Sequence, residues 1–191
     1  MIGKGGGMHT LERIALALEA RIPGTAGHSR RVADYARDLA EGMGLPPAQA
    51  TKIAQAGTVH DIGKTCVPGT VLNKPGPLDP HERDLVRRHA TTGAAMVADL
   101  GDTELTSFVR HHHERYDGGG YPDRLAGEQI PLGARILAVA DTFDALTSNR
   151  PYRRALEHAQ ALKVLAAEAG TQLDPRVVAC FGAGQGMLQA A

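Results

Sequence analysis

The chain has 191 residues, 42% of them hydrophobic and 22% charged, a balance that excludes wholesale disorder. Lys plus Arg number 21 and Asp plus Glu number 21, so the formal net charge is zero. That excludes a broad basic face for duplex nucleic acid and leaves room only for a local cationic pocket. No apolar run approaches the ~18 residues of a membrane span, and no signal-peptide pattern is present. Cys66 and Cys180 sit in no paired motif and read as reduced thiols of a cytoplasmic protein. Nine histidines stand against four tyrosines, three phenylalanines and no tryptophan.

Residues 1–7 are Gly-rich without apolar periodicity and read as a flexible leader or an expression scar, leaving residues 8–191 as the domain. From Met8 to Arg21 a helix is expected with Leu11, Ile14, Leu16 and Leu18 as its apolar face, ended by Pro23-Gly24. A second helix runs from His28 to Met43, with Val32, Tyr35, Ala36 and Leu39 on one side. A third opens at Pro46-Pro47 and reaches about His60, with Gly63 as its C-cap. Residues 67–78 carry three prolines and two glycines and read as loop. Asp79-Pro80-His81-Glu82 spells an N-cap, a proline at the first helical position and a capping box. Helices are expected over Pro80–His89, Thr91–Leu100 and Thr103–His113, then a Gly-rich loop at 116–122. Helical pattern resumes over Leu132–Ala145, after Pro151, and from Asp174-Pro175 onward. No alternating strand run, repeat or dividing linker interrupts this pattern, so the expected fold is a single all-α domain.

The histidines gather at helix ends. His60-Asp61 closes one helix and His112-His113 another, His28 opens a third and His89 ends a fourth. Asp141 interrupts the apolar run Ala138–Phe143, where an ionised side chain is costly unless paired or coordinated. Each has an ordinary reading: a polar helix terminus, a solvated His cluster, or a buried Asp bridged to an Arg. Together, five His and two Asp on five helical segments could surround a binuclear metal centre of the Zn, Fe or Mn type.

Three strings then carry a resemblance: Gly27-His28-Ser29-Arg30-Arg31-Val32-Ala33, His60-Asp61-Ile62-Gly63-Lys64, and His112-His113-Glu114-Arg115-Tyr116-Asp117-Gly118-Gly119-Gly120-Tyr121-Pro122. With Ala134–Asp141 and Ala145–Arg153, they resemble the HD-GYP domain, a branch of the HD phosphohydrolase superfamily, over residues 9–182. The resemblance implies an HD-type helical bundle that hydrolyses cyclic di-GMP to linear pGpG, with a second cut to GMP as a further option, by attack of a hydroxide bridging two divalent metals. Iron is favoured over manganese by family analogy. It implies His28, His60, Asp61, His89, His112, His113 and Asp141 as ligands, with Asp61 as the bridge and Lys64 near the scissile phosphate. Tyr121, Asp144, Arg150 and Arg153 match substrate contacts. Diguanylate cyclase domains of the GGDEF type are an implied partner. Some members carry a Glu four residues before the first metal His, supporting a third metal; Gly24 stands there in this chain, and Ile22 is apolar where an acid is common, which favours two metals. The alternatives are an HD hydrolase of another nucleotide and a catalytically weak module binding cyclic di-GMP or a partner. His9, His81, His111 and His158 fall outside the motif and read as surface or loop, and Arg30-Arg31 and Arg87-Arg88 as solvated helix faces.

Overall fold

The computed structural model describes residues 4–149 and 153–189, and among these every regular element is helical. In chain order the helices are α1 Lys4–Glu19, α2 His28–Gly42, α3 Pro47–Val59, α4 Gly69–Leu72, α5 Pro80–Arg87, α6 His89–Ala98, α7 Thr103–His111, α8 Leu132–Thr147, α9 His158–Ala167 and α10 Pro175–Gln189. Two 3₁₀ turns, Ile62–Cys66 and Gly127–Gln129, supplement them.

The core is threaded by α2, α3, α7 and α8 through Val32, Ile53, Val109, Ile136 and Phe143, and α9 and α10 close it with Leu165, Val177 and Phe181. Phe143 lies edge-to-face against Phe181 and against Tyr35 of α2, with ring centroids 4.8 and 5.2 Å apart. Each fully buried side chain of this size contributes roughly 1.5–3 kcal/mol, so the bundle holds its helix ends firmly. The buried pair Arg135–Asp174 ties α8 to the start of α10, where Asp174 also accepts a hydrogen bond from the Arg176 amide at 2.8 Å.

Four expectations change. Helix α1 begins at Lys4, so residues 4–7 are helical where no helix was expected before Met8. Its buried apolar residues are Met8, Ala15 and Leu18, with Leu11 partly covered, while Ile14 and Leu16 face solvent. The reason is spacing: positions 8, 11, 15 and 18 follow the helical period, 14 borders that stripe and 16 lies well off it. Residues 67–78 are not all loop, since α4 lies within them. Gly63 is no C-cap; it sits inside the 3₁₀ turn, pressed against the first turn of α6. A Cβ there would lie 2.0 Å from the His89 carbonyl oxygen and 2.6 Å from the Gly93 nitrogen, so only glycine allows the two backbones to meet. By contrast, the capping box at Asp79 forms as its sequence requires, with Asp79 Oδ1 accepting from the Glu82 amide at 2.9 Å and Glu82 accepting from the Asp79 amide at 2.8 Å.

Candidate metal centre

The packing that buries the core brings the starts or ends of α2, α3, α6 and α7, and the middle of α8, to one point. His60 continues α3 with φ −54° and ψ −36°, and Asp61 then turns into the bridge region at φ −93° and ψ 2°. This turn lets two adjacent residues, which a continuing helix would splay apart, aim at one place. Two sets of donors result. The ligand atoms of Asp61, His89, His112 and His113 lie within 4.8 Å of one another, and those of His28, His60 and Asp141 do likewise.

Asp61 stands between the sets. Its Oδ1 lies 3.4 Å from His89 Nε2, and its Oδ2 lies 3.5 Å from His60 Nε2 and 3.9 Å from His28 Nε2. Asp141 Oδ1 is 3.4 Å from His28 Nε2. One carboxylate therefore offers an oxygen to each set, as a bridging ligand must.

The imidazoles are held in the tautomer that ligation needs. Nδ1 of His60, His89 and His112 donates to the carbonyl three residues earlier, at Gly57, Val86 and Val109, over 2.7, 2.6 and 2.7 Å. A carbonyl only accepts, so Nδ1 carries the proton and Nε2 keeps its lone pair toward the centre. His28 Nδ1 makes the same kind of bond to Asp144 Oδ2, at 2.7 Å. Burial lowers the pKa of His89 and His112 and takes His113 down to about 3, so these rings are neutral at physiological pH. Burial would raise Asp61, but Lys64 and the surrounding histidines outweigh it and hold its carboxyl well below the usual carboxylate range. His28 runs the other way: burial opposes its charge, and the bond to Asp144 with the fields of Asp141 and Asp61 overcomes that and raises it. His60 Nε2 and Asp61 Oδ1 are buried and have no hydrogen-bond partner. Buried polar atoms left unpaired at a convergence of neutral imidazoles and a carboxylate fit divalent cations of the Zn, Mn or Fe class.

Two hollows flank the cluster. One of about 650 Å³ is lined by Arg87, His113, Tyr121, Asp141, Thr142 and Arg153 among others. The other, about 410 Å³, takes in Gly24, His28, Asp61, Lys64, Lys74 and Asp141. His113 and Asp141 line both, so the hollows adjoin at the donors. Tyr121 reaches the first from the Gly-rich loop, its ring 5.0 Å from that of His113 and tilted 31° to it. The loop is pinned to the turn between α9 and α10, where the Tyr116 and Asp117 amides donate to the Gln172 and Thr171 carbonyls at 3.1 and 2.8 Å. Gly120 is required because a Cβ there would sit 2.3 Å from the Arg115 nitrogen.

The HD-domain family model matches residues 12–177. The chain belongs to the HD-domain family. It is 42% identical over 183 residues to the cyclic di-GMP phosphodiesterase response regulator RpfG of Xanthomonas campestris pv. campestris, covering 94% of this chain and 48% of that protein. It is 37% identical over 169 residues to 3′3′-cGAMP-specific phosphodiesterase 2 of Vibrio cholerae serotype O1, covering 86% of this chain and 32% of that protein. The chain thus spans between a third and a half of the length of these relatives. Among solved structures, a cyclic GMP-AMP-specific phosphodiesterase of V. cholerae superposes with a TM-score of 0.70 at 18% identity, over 92% of this chain and 47% of that one, which establishes the shared fold.

Within this HD domain all seven expected donors converge. Lys64 Nζ lies 2.6 Å from Asp61 Oδ2, and Tyr121 and Arg153 line the larger hollow. Arg150 lies outside the described residues. Asp144 is a correction: it is 1% exposed and directs both oxygens to His28 and Arg31, so it orients His28 and is closed off from substrate. Arg31 accordingly is not a solvated face but the counter-ion of Asp144, while Arg30 is exposed. His111 is also no free surface group, since its Nε2 lies 2.9 Å from Asp123 Oδ2.

Sequence reasoning missed Glu19 at the end of α1. Its carboxylate accepts from the Gly27 and Ser29 amides at 2.9 and 2.6 Å. It caps α2 from outside, because the residue before His28 is glycine and supplies no side-chain cap.

Proposed function

We propose that this HD domain is a metal-dependent phosphodiesterase that hydrolyses cyclic di-GMP to linear pGpG. The observation carrying this reading is Asp61, with one oxygen toward each of two donor sets, whose members His113 and Asp141 line both hollows. A cyclic dinucleotide has two nucleoside halves on one phosphate-linked ring, and a two-lobed cleft with its donors in the middle suits that shape. His28, His60 and Asp141 would hold one divalent ion and His89, His112 and His113 a second, with Asp61 shared. Two ions of the iron or manganese type, when bound, supply Lewis-acid activation of water and of the phosphodiester. Gly24 offers no side chain at the approach to His28, which supports two ions over three.

The chain's own residues do the rest. Water adds to phosphorus, the P–O3′ bond breaks, and the leaving oxygen takes a proton. Lys64 keeps Asp61 ionised and puts a cation at the edge of the smaller hollow, where it offsets charge on a phosphate oxygen or protonates the leaving group. Tyr121 forms a wall beside His113, and Arg153 and Arg150 supply guanidinium groups for phosphate. The relatives' names divide between cyclic di-GMP and 3′3′-cGAMP, so the second reading is the mixed dinucleotide at the same centre. We also assign the exposed part of the Gly-rich loop, Asp117 and Gly119, to contact with GGDEF-type diguanylate cyclase domains in the bacterial cytoplasm. The test is metal content and cyclic di-GMP turnover, followed by chromatography, for His60→Ala and Asp61→Ala. Both variants are expected to lose metal and activity; full activity in either overturns the reading.

A further inference from the structure

Three arginines line the larger hollow: Arg87, Arg115 and Arg153. Arg115 is folded onto Asp117, with Nη2 2.7 Å from Oδ2, and onto Gln172 at 3.1 Å. Arg153 donates through Nη2 to the Ala145 carbonyl. Arg87 makes no hydrogen bond among the described residues, and the carboxylate beside it, Asp84, is 3.9 Å away and largely exposed. Its guanidinium instead lies over the Tyr121 ring, 5.4 Å from the centroid. That ring in turn lies 5.0 Å from the His113 ring and 6.5 Å from the His89 ring. His113, Tyr121 and Arg87 therefore form a continuous stack leading outward from the donor cluster along the wall of the hollow. An aromatic face under a guanidinium fixes its plane while leaving its N–H edges free, the arrangement suited to a planar, bidentate grip on phosphate.

We infer that Arg87, seated on Tyr121, binds the second, non-scissile phosphate of the cyclic dinucleotide and so selects two-phosphate substrates over simple diesters. The inference rests on the phosphodiesterase reading above. When one phosphate of the ring lies at the donors, the other must project away from them, and among the described arginines on that wall Arg87 is the one whose guanidinium makes no hydrogen bond. It is a specificity-determining residue: it takes no part in breaking the bond at the first phosphate.

The test compares two substrates, cyclic di-GMP and bis(4-nitrophenyl) phosphate, which has one phosphate and no second anion. Arg87→Ala is expected to raise KM for cyclic di-GMP by about tenfold to a hundredfold, the range for one charge-assisted hydrogen bond, with kcat within about twofold. The ratio of kcat/KM for cyclic di-GMP to that for the simple diester should fall at least about tenfold. Arg87→Gln, which keeps a stem over Tyr121 without charge, should behave like the alanine variant, and Arg87→Lys should recover part of the loss. Equal losses on both substrates, or no loss on cyclic di-GMP, overturn the inference and leave the phosphodiesterase reading standing. An unaltered protein that cleaves the simple diester but neither cyclic di-GMP nor 3′3′-cGAMP overturns both.

Discussion

Replacing Asp144 with Asn isolates how the buried scaffold controls the metal centre. The side chain is 1% exposed, its Oδ2 is 2.7 Å from His28 Nδ1, and Arg31 Nη2 is 3.2 Å from the same oxygen. An amide has the same shape but one acceptor oxygen and one donor nitrogen. With its oxygen in the Oδ2 position it keeps His28 and Arg31 Nη2 but sets its NH2 group against Arg31 Nε, and in the flipped orientation the NH2 group meets His28 and Arg31 Nη2 instead, so one N–H is always left facing a donor. A buried donor left unpaired costs about 1–3 kcal/mol. The lost ion pair adds less than a buried pair would, because the Arg31 side chain is 39% exposed. The net expectation is about 2 kcal/mol, a fall of roughly 4–8 °C in Tm for a chain of this size. Loss of the carboxylate behind a ligating histidine should also weaken metal binding by about 10–100-fold. Arg31→Ala separates the two effects, since it removes the counter-ion and leaves the His28–Asp144 bond in place; it should lower Tm with a smaller change in metal affinity. Melting with and without chelator, and manganese titration by calorimetry, read both quantities. An Asn variant that binds manganese as tightly as the unaltered protein refutes the orienting role of Asp144.

Gly63→Ala places a methyl group 2.0 Å from the His89 carbonyl oxygen, and should destabilise by about 3 kcal/mol or more and strip metal by displacing His89; a variant with normal Tm contradicts the packing. Glu19→Ala removes the acceptor of the Gly27 and Ser29 amides at the start of α2 and should cost about 1–2 kcal/mol in denaturant melts, with weaker metal retention through His28, whereas an unchanged melt contradicts the long-range cap. Asp123, hydrogen-bonded by Arg110 and His111, is lowered from 3.8 to about 2. A depressed carboxyl contributes stability above its unfolded value that is lost as pH falls through the folded one. Asp123→Asn should therefore be less stable at neutral pH, by about 1 kcal/mol at most given partial exposure, and the gap to the unaltered protein should close between about pH 4 and 2; a gap that persists at pH 2 contradicts the pairing.

The His and Asp cluster was legible because all of its members but Asp141 lie at or beside helix ends, where loops of a bundle converge, and Asp141 stood out as a carboxylate in an apolar helix. The all-α reading and the Asp79 capping box also follow from local pattern, since their bonds span three or four residues. What the sequence hid depends on packing between distant segments. Asp144 meets His28 across 116 positions, so the family resemblance offered it as a substrate contact when the helix in fact turns it into the core. Glu19 and Arg31 look like ordinary charged helix residues until α1 and α8 are docked beside α2. Gly63 marked a break in the helical pattern, but its reason, the approach of the α6 backbone, belongs to tertiary structure. On α1 the period alone sets Leu16 apart from Met8, Leu11, Ala15 and Leu18, whereas Ile14 borders that stripe and its exposure depends on what packs beside it.

The most direct test is one anaerobic preparation assayed twice, for iron and manganese per chain and for conversion of cyclic di-GMP. The account predicts two metals per chain and appearance of pGpG, both lost on Asp61→Ala. A preparation that holds two metals and leaves cyclic di-GMP and 3′3′-cGAMP intact contradicts it.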